Sequence, residues 1–366
     1  MVCGFPNSIA GGGQILSIIT GMLTDVGFLG AFFQTIVIIF FGFLFRRRGI
    51  LAASGKQALT ALEWKLCVPC LAFDAFMTDF SAQELVTGGE ILLLSLVFYI
   101  AAALLSRLAF RRQGANRATA LALFVAIGQL TLFSTPILQS IYPEPGSEVI
   151  FDVSIMTLPF RFMVYIVSFF VLSGLKLDRK NLRITCREVF LNPIIIAMLL
   201  GIFIWLTQNL MPQVPVGDAA YGALRLDKTL PALYTPVQAL QRMVGPLAMF
   251  LIGISLGEAH LNEALRDRLA WLAAVLRTVA VPACVLAVLC ALQALQVIHF
   301  NAAALTAMVI GFAAPSSATV SLFAIQYDRE AQLGSRVCLL STFLCLLSFP
   351  LCYLLVQLAL TLPCFA

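Results

Sequence analysis

Charge is what this sequence has least of. Lys, Arg, Asp and Glu together make up 11% of the 366 residues, where a soluble domain carries about 25%. No charged side chain occurs between Arg117 and Glu144. This excludes an ordinary soluble fold, and the mean hydropathy of +0.97 and 61% hydrophobic content agree. Histidine is scarce: His260 and His299 fall in loops expected at opposite faces, so no shared metal site is expected. No G-x-x-x-x-G-K-[ST] run occurs, which removes the loop that would cradle a nucleotide's phosphates. The ten cysteines lie mostly in apolar stretches, where a free thiol packs as a small hydrophobe. Their spacing makes neither a disulfide framework nor a zinc site. "CVPC", Cys67–Cys70, straddles a proline inside an apolar run, so it reads as packing rather than as a redox pair. No Lys or Arg precedes Arg46, so the basic start of a cleavable signal peptide is missing. No nucleophile–base pair is apparent, so neither an enzyme nor a cofactor is expected. The net charge of +5 resides in short loops and offers nucleic acid no patch.

What the chain does have is apolar runs of some 20 residues, the length that crosses about 30 Å of hydrocarbon. Ten are readable: Val26–Phe45, Leu59–Met77, Ile91–Phe110, Ala118–Tyr142, Val149–Ser173, Val189–Leu210, Ala232–Leu256, Leu269–Leu295, Ala302–Ile325 and Val337–Leu360. The expected fold is therefore an all-α integral membrane protein of about ten transmembrane helices. Residues 1–24, with Gly11, Gly12 and Gly13, read as a flexible or interfacial lead-in. Most basic residues, from Arg46–Arg48 through Lys176–Arg187 to Arg329 and Arg336, follow odd-numbered spans. Arg225 and Lys228 fall on the other side, with Arg242 near it. Positive charge marks the cytoplasmic side, so both termini are expected outside a multi-pass cell-membrane protein.

The chain also echoes itself. "PCLAF" (Pro69–Phe73) returns as "PLAMF" (Pro246–Phe250), and the polar stretch after Gly128 returns as "GFAAPSSATVS" (Gly311–Ser321). "LPFRFMVY" in span five is answered by "FPLCYLLV" in span ten. All three offsets are about half the chain. Five spans per half make the second half an upside-down copy, giving repeats of 25–175 and 176–366. In transporters such repeats put the binding site at the midplane, on discontinuous helices.

This accounts for "GQLTLFSTP", Gly128–Pro136, polar groups in the middle of an apolar run. Gly128 and Pro136 are expected to break span four, and Gly311 and Pro315 span nine. Broken backbone is tolerated where protein, water or ligand satisfies it, and freed helix N-termini suit an anion. Gln129, Thr131, Ser134, Thr135, Ser316, Ser317 and Thr319 are the expected substrate-binding residues. The alternative is a pair of simple kinks whose hydroxyls bond back to their own helices.

Ionisable residues at membrane depth are functional candidates by default. Arg161, near the middle of span five, compensates a carboxylate substrate or else pairs with Asp152 or a carbonyl. Asp74 and Asp79, at the outer end of span two, are candidate proton carriers or wet interfacial carboxylates. Arg277, about two turns into span eight, reads as a snorkelling side chain. Glu63 and Lys65 lie too near the cytoplasmic end to suggest a site.

At these residues the chain resembles the auxin efflux carrier family, whose bacterial members are often described as malonate or malate permeases. The resemblance rests on "GFLFRRRGIL", "VPCLAF", the Gly-to-Pro stretch of span four, "NPIIIAMLLGIFI", "GPLAMFLIGISLG" and "APSSATVSLFAIQYDREAQLGSRVCLLSTFLCLLSFPL". It implies two inverted five-helix repeats, with broken helices four and nine crossing beside the substrate. It further implies organic-anion transport by a core bundle moving against a scaffold. The chain differs from the family pattern at Gln129, where Asn is usual, and at Ser134, where Gly is. Val320 stands where plant auxin carriers have a crossing proline. The expected activity is secondary transport of a small organic anion, a carboxylate, by alternating access. Protons are candidate coupling ions and the lipid bilayer is the surrounding partner. A sodium-coupled symporter of the bile acid type and a transporter-like sensor are the alternatives, and the oligomeric state, a homodimer included, stays open.

Overall fold

The structure is a computed structural model and describes residues 26–142, 144, 147–174, 191–217, 219–258, 261–327 and 329–365. The expected lead-in over residues 1–24, the loop cations Lys176, Arg179, Lys180, Arg183 and Arg187, and His260 lie outside the described residues. Helices occupy each of the apolar runs. In chain order they are α1 (Val26–Arg47), α2 (53–74), α3 (Ala82–Ala109), α4a (Ala115–Ala126), α4b (130–141), α5 (Glu148–Ser173) and α6 (Pro193–Thr207). Then come α7 (Pro231–Glu258), α8 (Arg268–Ala294), α9a (Ala302–Phe312), α9b (Ala318–Gln326) and α10 (Ala331–Ala359). Among the described residues α3, α5, α7, α8 and α10 are each long and apolar enough to cross a membrane, and α4a, α6 and α9a are shorter apolar helices.

Capping residues explain several of the starts. Asn192 accepts from the Ile194 amide, Asp267 from those of Leu269 and Ala270, and Asn301 from that of Ala304. Each satisfies donors that a helix N-terminus leaves without intrahelical partners. Prolines leave a second signature. A wide π-turn ends two residues before Pro69 (Glu63–Cys67), Pro136 (Leu130–Ser134) and Pro282 (Leu276–Ala280). A proline lacks the amide hydrogen and collides with the carbonyl four residues back. Widening that turn relieves the collision while the helix continues.

The helices form two groups. In one, α1 lies against α7, and α7 and α6 lie against α2. In the other, α3 packs on α4a and α5, α5 on α9a, and α8 and α9b on α10. The first group is a tight panel because α1 and α7 meet backbone to backbone. A Cβ on Gly42 would stand 3.1 Å from the Gly253 Cα, and one on Gly253 would stand 2.8 Å from the Phe43 nitrogen. Arg46 and Lys56 both pair with Glu258, at 3.0 and 2.5 Å, tying α1, α2 and α7 at one end.

At the opposite end of the panel an antiparallel hairpin, β1 (Gln213–Val216) and β2 (Ala219–Gly222), lies between α6 and α7. Its tight turn places Gly217 at φ +63°, a conformation that suits glycine. Arg225 follows and is almost fully buried. It donates to both carboxylate oxygens of Asp227, to Asp79, to Gln208 and to the Thr78 carbonyl, each at 2.8–2.9 Å. One guanidinium thus joins the ends of α2 and α6 to the hairpin.

Candidate functional site

Spans four and nine are both interrupted, and their interruptions touch. α4a ends at Ala126 and α4b starts at Leu130; α9a ends at Phe312 and α9b starts at Ala318. Between them Gly128 and Ser316 form an antiparallel bridge. The Gln129 amide donates to the Pro315 carbonyl at 2.7 Å, and the Ser317 amide to the Ile127 carbonyl at 3.0 Å. The two unwound stretches therefore satisfy each other, which is how a buried break avoids stranded backbone groups. Simple kinks would not need this exchange.

The exact position of each break differs from the sequence expectation. Pro136 lies eight residues beyond Gly128, in the first turn of the α-helical part of α4b, where proline is tolerated. Gly311 is still inside α9a. Gly128 and Pro315 are the two expected breakers that stand in the interruptions. Gly128 has no positive φ, so its backbone freedom is not what the fold uses. The space is. A Cβ there would sit 2.6 Å from Cζ of Arg277.

Arg277 corrects the reading of it as a snorkelling side chain. It is fully buried, on the π-turn of α8, beneath the crossing. Its Nε donates to the Ala314 carbonyl at 2.8 Å, and its Nη1 to the carbonyls of Ala126 at 2.9 Å and Val125 at 3.2 Å. Nη2 is buried with no hydrogen-bond partner. Sequence position alone places this residue two turns from a helix end. Only the non-local meeting of two broken helices supplies the carbonyls that hold it deeper.

The expected binding residues divide between two duties. Several hold the crossing together. The Gln129 side-chain oxygen accepts from the Ala318 amide at 3.0 Å, capping α9b. Ser134 donates to the Ile310 carbonyl at 2.7 Å, so the hydroxyl ties α4b to α9a. The Ser316 amide donates to Ser341 Oγ on α10 at 3.0 Å. The Ser316 and Ser317 hydroxyl oxygens are buried without a partner, and Thr319 is half-buried.

Thr131 and Thr135 instead face a narrow cleft of about 20 Å³, together with Ser154 and Thr157 of α5, Val68, Leu71 and Ala72 of α2, and Ile194 and Met198 of α6. The cleft thus lies on the seam between the two helix groups, against the first turns of α4b. Thr135, Ser154 and Thr157 spend their protons on backbone carbonyls of their own span, leaving lone pairs to offer. Thr131 Oγ1 is buried with no partner. No charged side chain lines the cleft.

The ionisable candidates lie elsewhere. Arg161 is buried and stacks over the Trp64 ring, 4.7 Å from its centroid, bridging α5 and α2. Asp152 is nine positions earlier on the same helix, about 13 Å of rise. Asp74 is buried and accepts from the Tyr234 hydroxyl of α7, while Asp79 pairs with Arg225 at 2.8 Å. Both carboxylates belong to the far end of the panel. Glu63, whose sequence position lies too near an end to suggest a site, is fully buried, and neither carboxylate oxygen has a partner. Of the CVPC pair, Cys67 is buried and Cys70 half-buried, and both are free thiols. Among the described residues no cluster of His, Cys, Asp and Glu could hold a metal ion.

The sequence model of a family described as membrane transport protein, the auxin efflux carrier family, matches residues 28–181 and again residues 176–353. The chain belongs to the auxin efflux carrier family. No curated protein matches it. As an auxin efflux carrier family member it is a multi-pass membrane transporter, and the contact between broken helices is the part of its architecture that sequence expectation and structure describe alike.

Proposed function

We propose that this transporter is a secondary carrier for a small organic anion, one bearing a carboxylate, held in the cleft between α4b and α5 on one side and α2 and α6 on the other. The cleft carries the reading. Its free space of about 20 Å³ holds about one water, far less than a ligand pocket, so the two helix groups must part to admit even a small solute. Its apolar wall from α2 and α6 suits a short hydrocarbon backbone. The uncommitted Thr131 hydroxyl faces the solute, on the first turn of the helix over 130–141. Amides of a first helical turn lack intrahelical partners, and the macrodipole adds roughly half a positive charge there. Together they suit a carboxylate better than a cation.

The helices would cross the membrane ten times as two inverted five-helix repeats, with both termini outside the cell membrane. A cleft shared by two helix groups gives alternating access a plain geometry. If α3, α4, α5, α8, α9 and α10 slide against the panel, the solute travels with α4b and leaves the apolar wall behind. Protons remain the candidate coupling ion, with Asp74 and Asp79 as the carboxylates to substitute.

The test is uptake by purified protein in liposomes across labelled mono- and dicarboxylates, with imposed pH, sodium or potential differences. Saturable uptake is expected for a small carboxylate, with Thr131→Val raising KM several-fold and leaving the folded fraction unchanged. Equal uptake by Thr131→Val and the unsubstituted protein would remove the cleft from the mechanism. Binding of carboxylates in detergent without uptake would favour a sensor.

A further inference from the structure

The crossing brings together two helix ends of the same sign. α4a and α9a both finish there, and a helix C-terminus leaves its last carbonyls without intrahelical partners and carries about half a negative charge. Two such ends amount to about one negative charge, sunk among buried residues. In transporters built on discontinuous helices, carbonyls at half-helix C-termini are where a coupling cation binds.

Here that place is filled from within the chain. The Arg277 guanidinium reaches the Val125 and Ala126 carbonyls at the end of α4a and the Ala314 carbonyl just past α9a. Cys345 of α10 supplies the neighbouring Ala313 carbonyl with a thiol at 3.1 Å. Tyr99 on α3 and Cys345 on α10 are titratable groups whose charge would act on Arg277, and it makes no ion pair with a carboxylate among the described residues. One positive charge therefore stands directly against the carbonyls of two helix C-termini, while the N-termini of α4b and α9b at the same crossing carry the opposite sign. Lone buried charges are expensive, so the arrangement is self-consistent only while both ends stay in place.

We propose that Arg277 is the positioning residue of the crossing, its guanidinium serving as a resident cation in the place that a bound monovalent cation would otherwise take between the two half-helix C-termini. Sodium has no vacancy there and gains nothing by binding. Truncating the side chain opens a vacancy lined by the same carbonyls, with the chemistry to take a guanidinium ion or another small monovalent cation. The bearing on transport rests on the carrier reading above; the cation site itself does not.

The experiment is thermal unfolding of the full chain in detergent with no organic anion present. Unsubstituted protein, Arg277→Ala, Arg277→Lys and Arg277→Gln are compared in choline, sodium and methylguanidinium chlorides at equal ionic strength. Three results are expected. The unsubstituted protein melts at one temperature in all three salts. Arg277→Ala melts lower, and millimolar methylguanidinium restores at least half of the loss. Arg277→Lys, which keeps the charge, melts above Arg277→Gln, which does not. If Arg277→Ala yields no folded protein, the Lys-to-Gln comparison decides.

Saturable stabilisation of the unsubstituted protein by sodium would overturn the proposal, as would equal melting of the Lys and Gln variants. So would an Arg277→Ala protein indifferent to methylguanidinium. Because the readout involves no transported solute, failure to find an organic-anion substrate leaves it standing, and its own failure leaves the carrier reading standing.

Discussion

Gly128→Ala is the smallest change that interrogates the crossing. It adds one methyl group where the Cβ would lie 2.6 Å from Cζ and 3.0 Å from Nε of Arg277. Ordinary carbon contacts need 3.5–4.0 Å and Nη2 lies closer still, so the guanidinium must retreat by more than about 1 Å. Its bonds to Ala314, Ala126 and Val125 are 2.8, 2.9 and 3.2 Å long, and a retreat of that size breaks at least two. Hydrogen bonds to charged groups contribute about 1.5–3 kcal/mol each, so the loss is roughly 3–6 kcal/mol before relaxation. Movement of α4b recovers part of this, and a net cost of about 3 kcal/mol is the expectation, in the upper range for overpacking. Melting in detergent should fall by at least 5 °C or so, at about 2 °C per kcal/mol. Gly89→Ala, on an open face of α3 with nothing near its Cβ, is the control, and should be neutral or gain up to about 1 kcal/mol. The decisive assay is a double-mutant cycle with Arg277→Lys, whose head lacks the intruding Nη2. Gly128→Ala should cost less by about 1 kcal/mol or more in the Lys background, a coupling typical of contacting residues. An equal cost in both backgrounds would refute the steric argument, and normal melting of Gly128→Ala alone would refute it outright.

Three further outcomes are expected. Glu63→Met replaces a fully buried carboxyl with no partner by an apolar side chain of similar length, and should stabilise the protein by about 1–3 kcal/mol; a lower melting temperature would show that the carboxyl is used. Arg225→Ala removes the cation shared by Asp79, Asp227 and Gln208 and should cost about 3 kcal/mol. It should also speed limited proteolysis within 213–222, and unchanged cleavage would mean that the hairpin is held by other contacts. Ser134→Ala loses the 2.7 Å bond to the Ile310 carbonyl, which keeps the Ala313 amide as a donor, for about 1 kcal/mol in chemical unfolding.

Much of the helical layout was legible because it is written locally. Apolar runs set the helices, and Asn192, Asp267 and Asn301 mark starts that follow from side-chain chemistry alone. The polar stretches after Gly128 and Gly311 located both interruptions to within a few residues. Their details were not legible. Pro136 reads as a breaker in sequence, but a π-turn over Leu130–Ser134 absorbs it. Whether a proline ends a helix depends on neighbours that its own sequence does not contain. Arg277 was misread because its depth is fixed by carbonyls 151 and 152 residues away in sequence. Asp74 and Asp79 are legible as acids at the end of an apolar run, but only Asp74 is buried and Asp79 is exposed, and the partners that engage them, Tyr234 and Arg225, come from the other half of the chain. Ser154 and Thr157 went unnoticed because hydroxyls at helical spacing in an apolar run usually only bond back to their own helix. Theirs do, and they line the cleft as well.

The bridge between Gly128 and Ser316 has a consequence for how such a carrier changes over time. The two interruptions are joined chiefly by main-chain amides and carbonyls, which every sequence possesses. Joints of that kind place few demands on nearby side chains. Thr131, Thr135, Ser154 and Thr157 can thus be exchanged for residues of other size or polarity while the strands beneath them keep their register. If the cleft is the solute site proposed above, new solutes are within reach of a handful of substitutions along it. Gly128 and Arg277 enjoy no such liberty, since each occupies the space the other leaves.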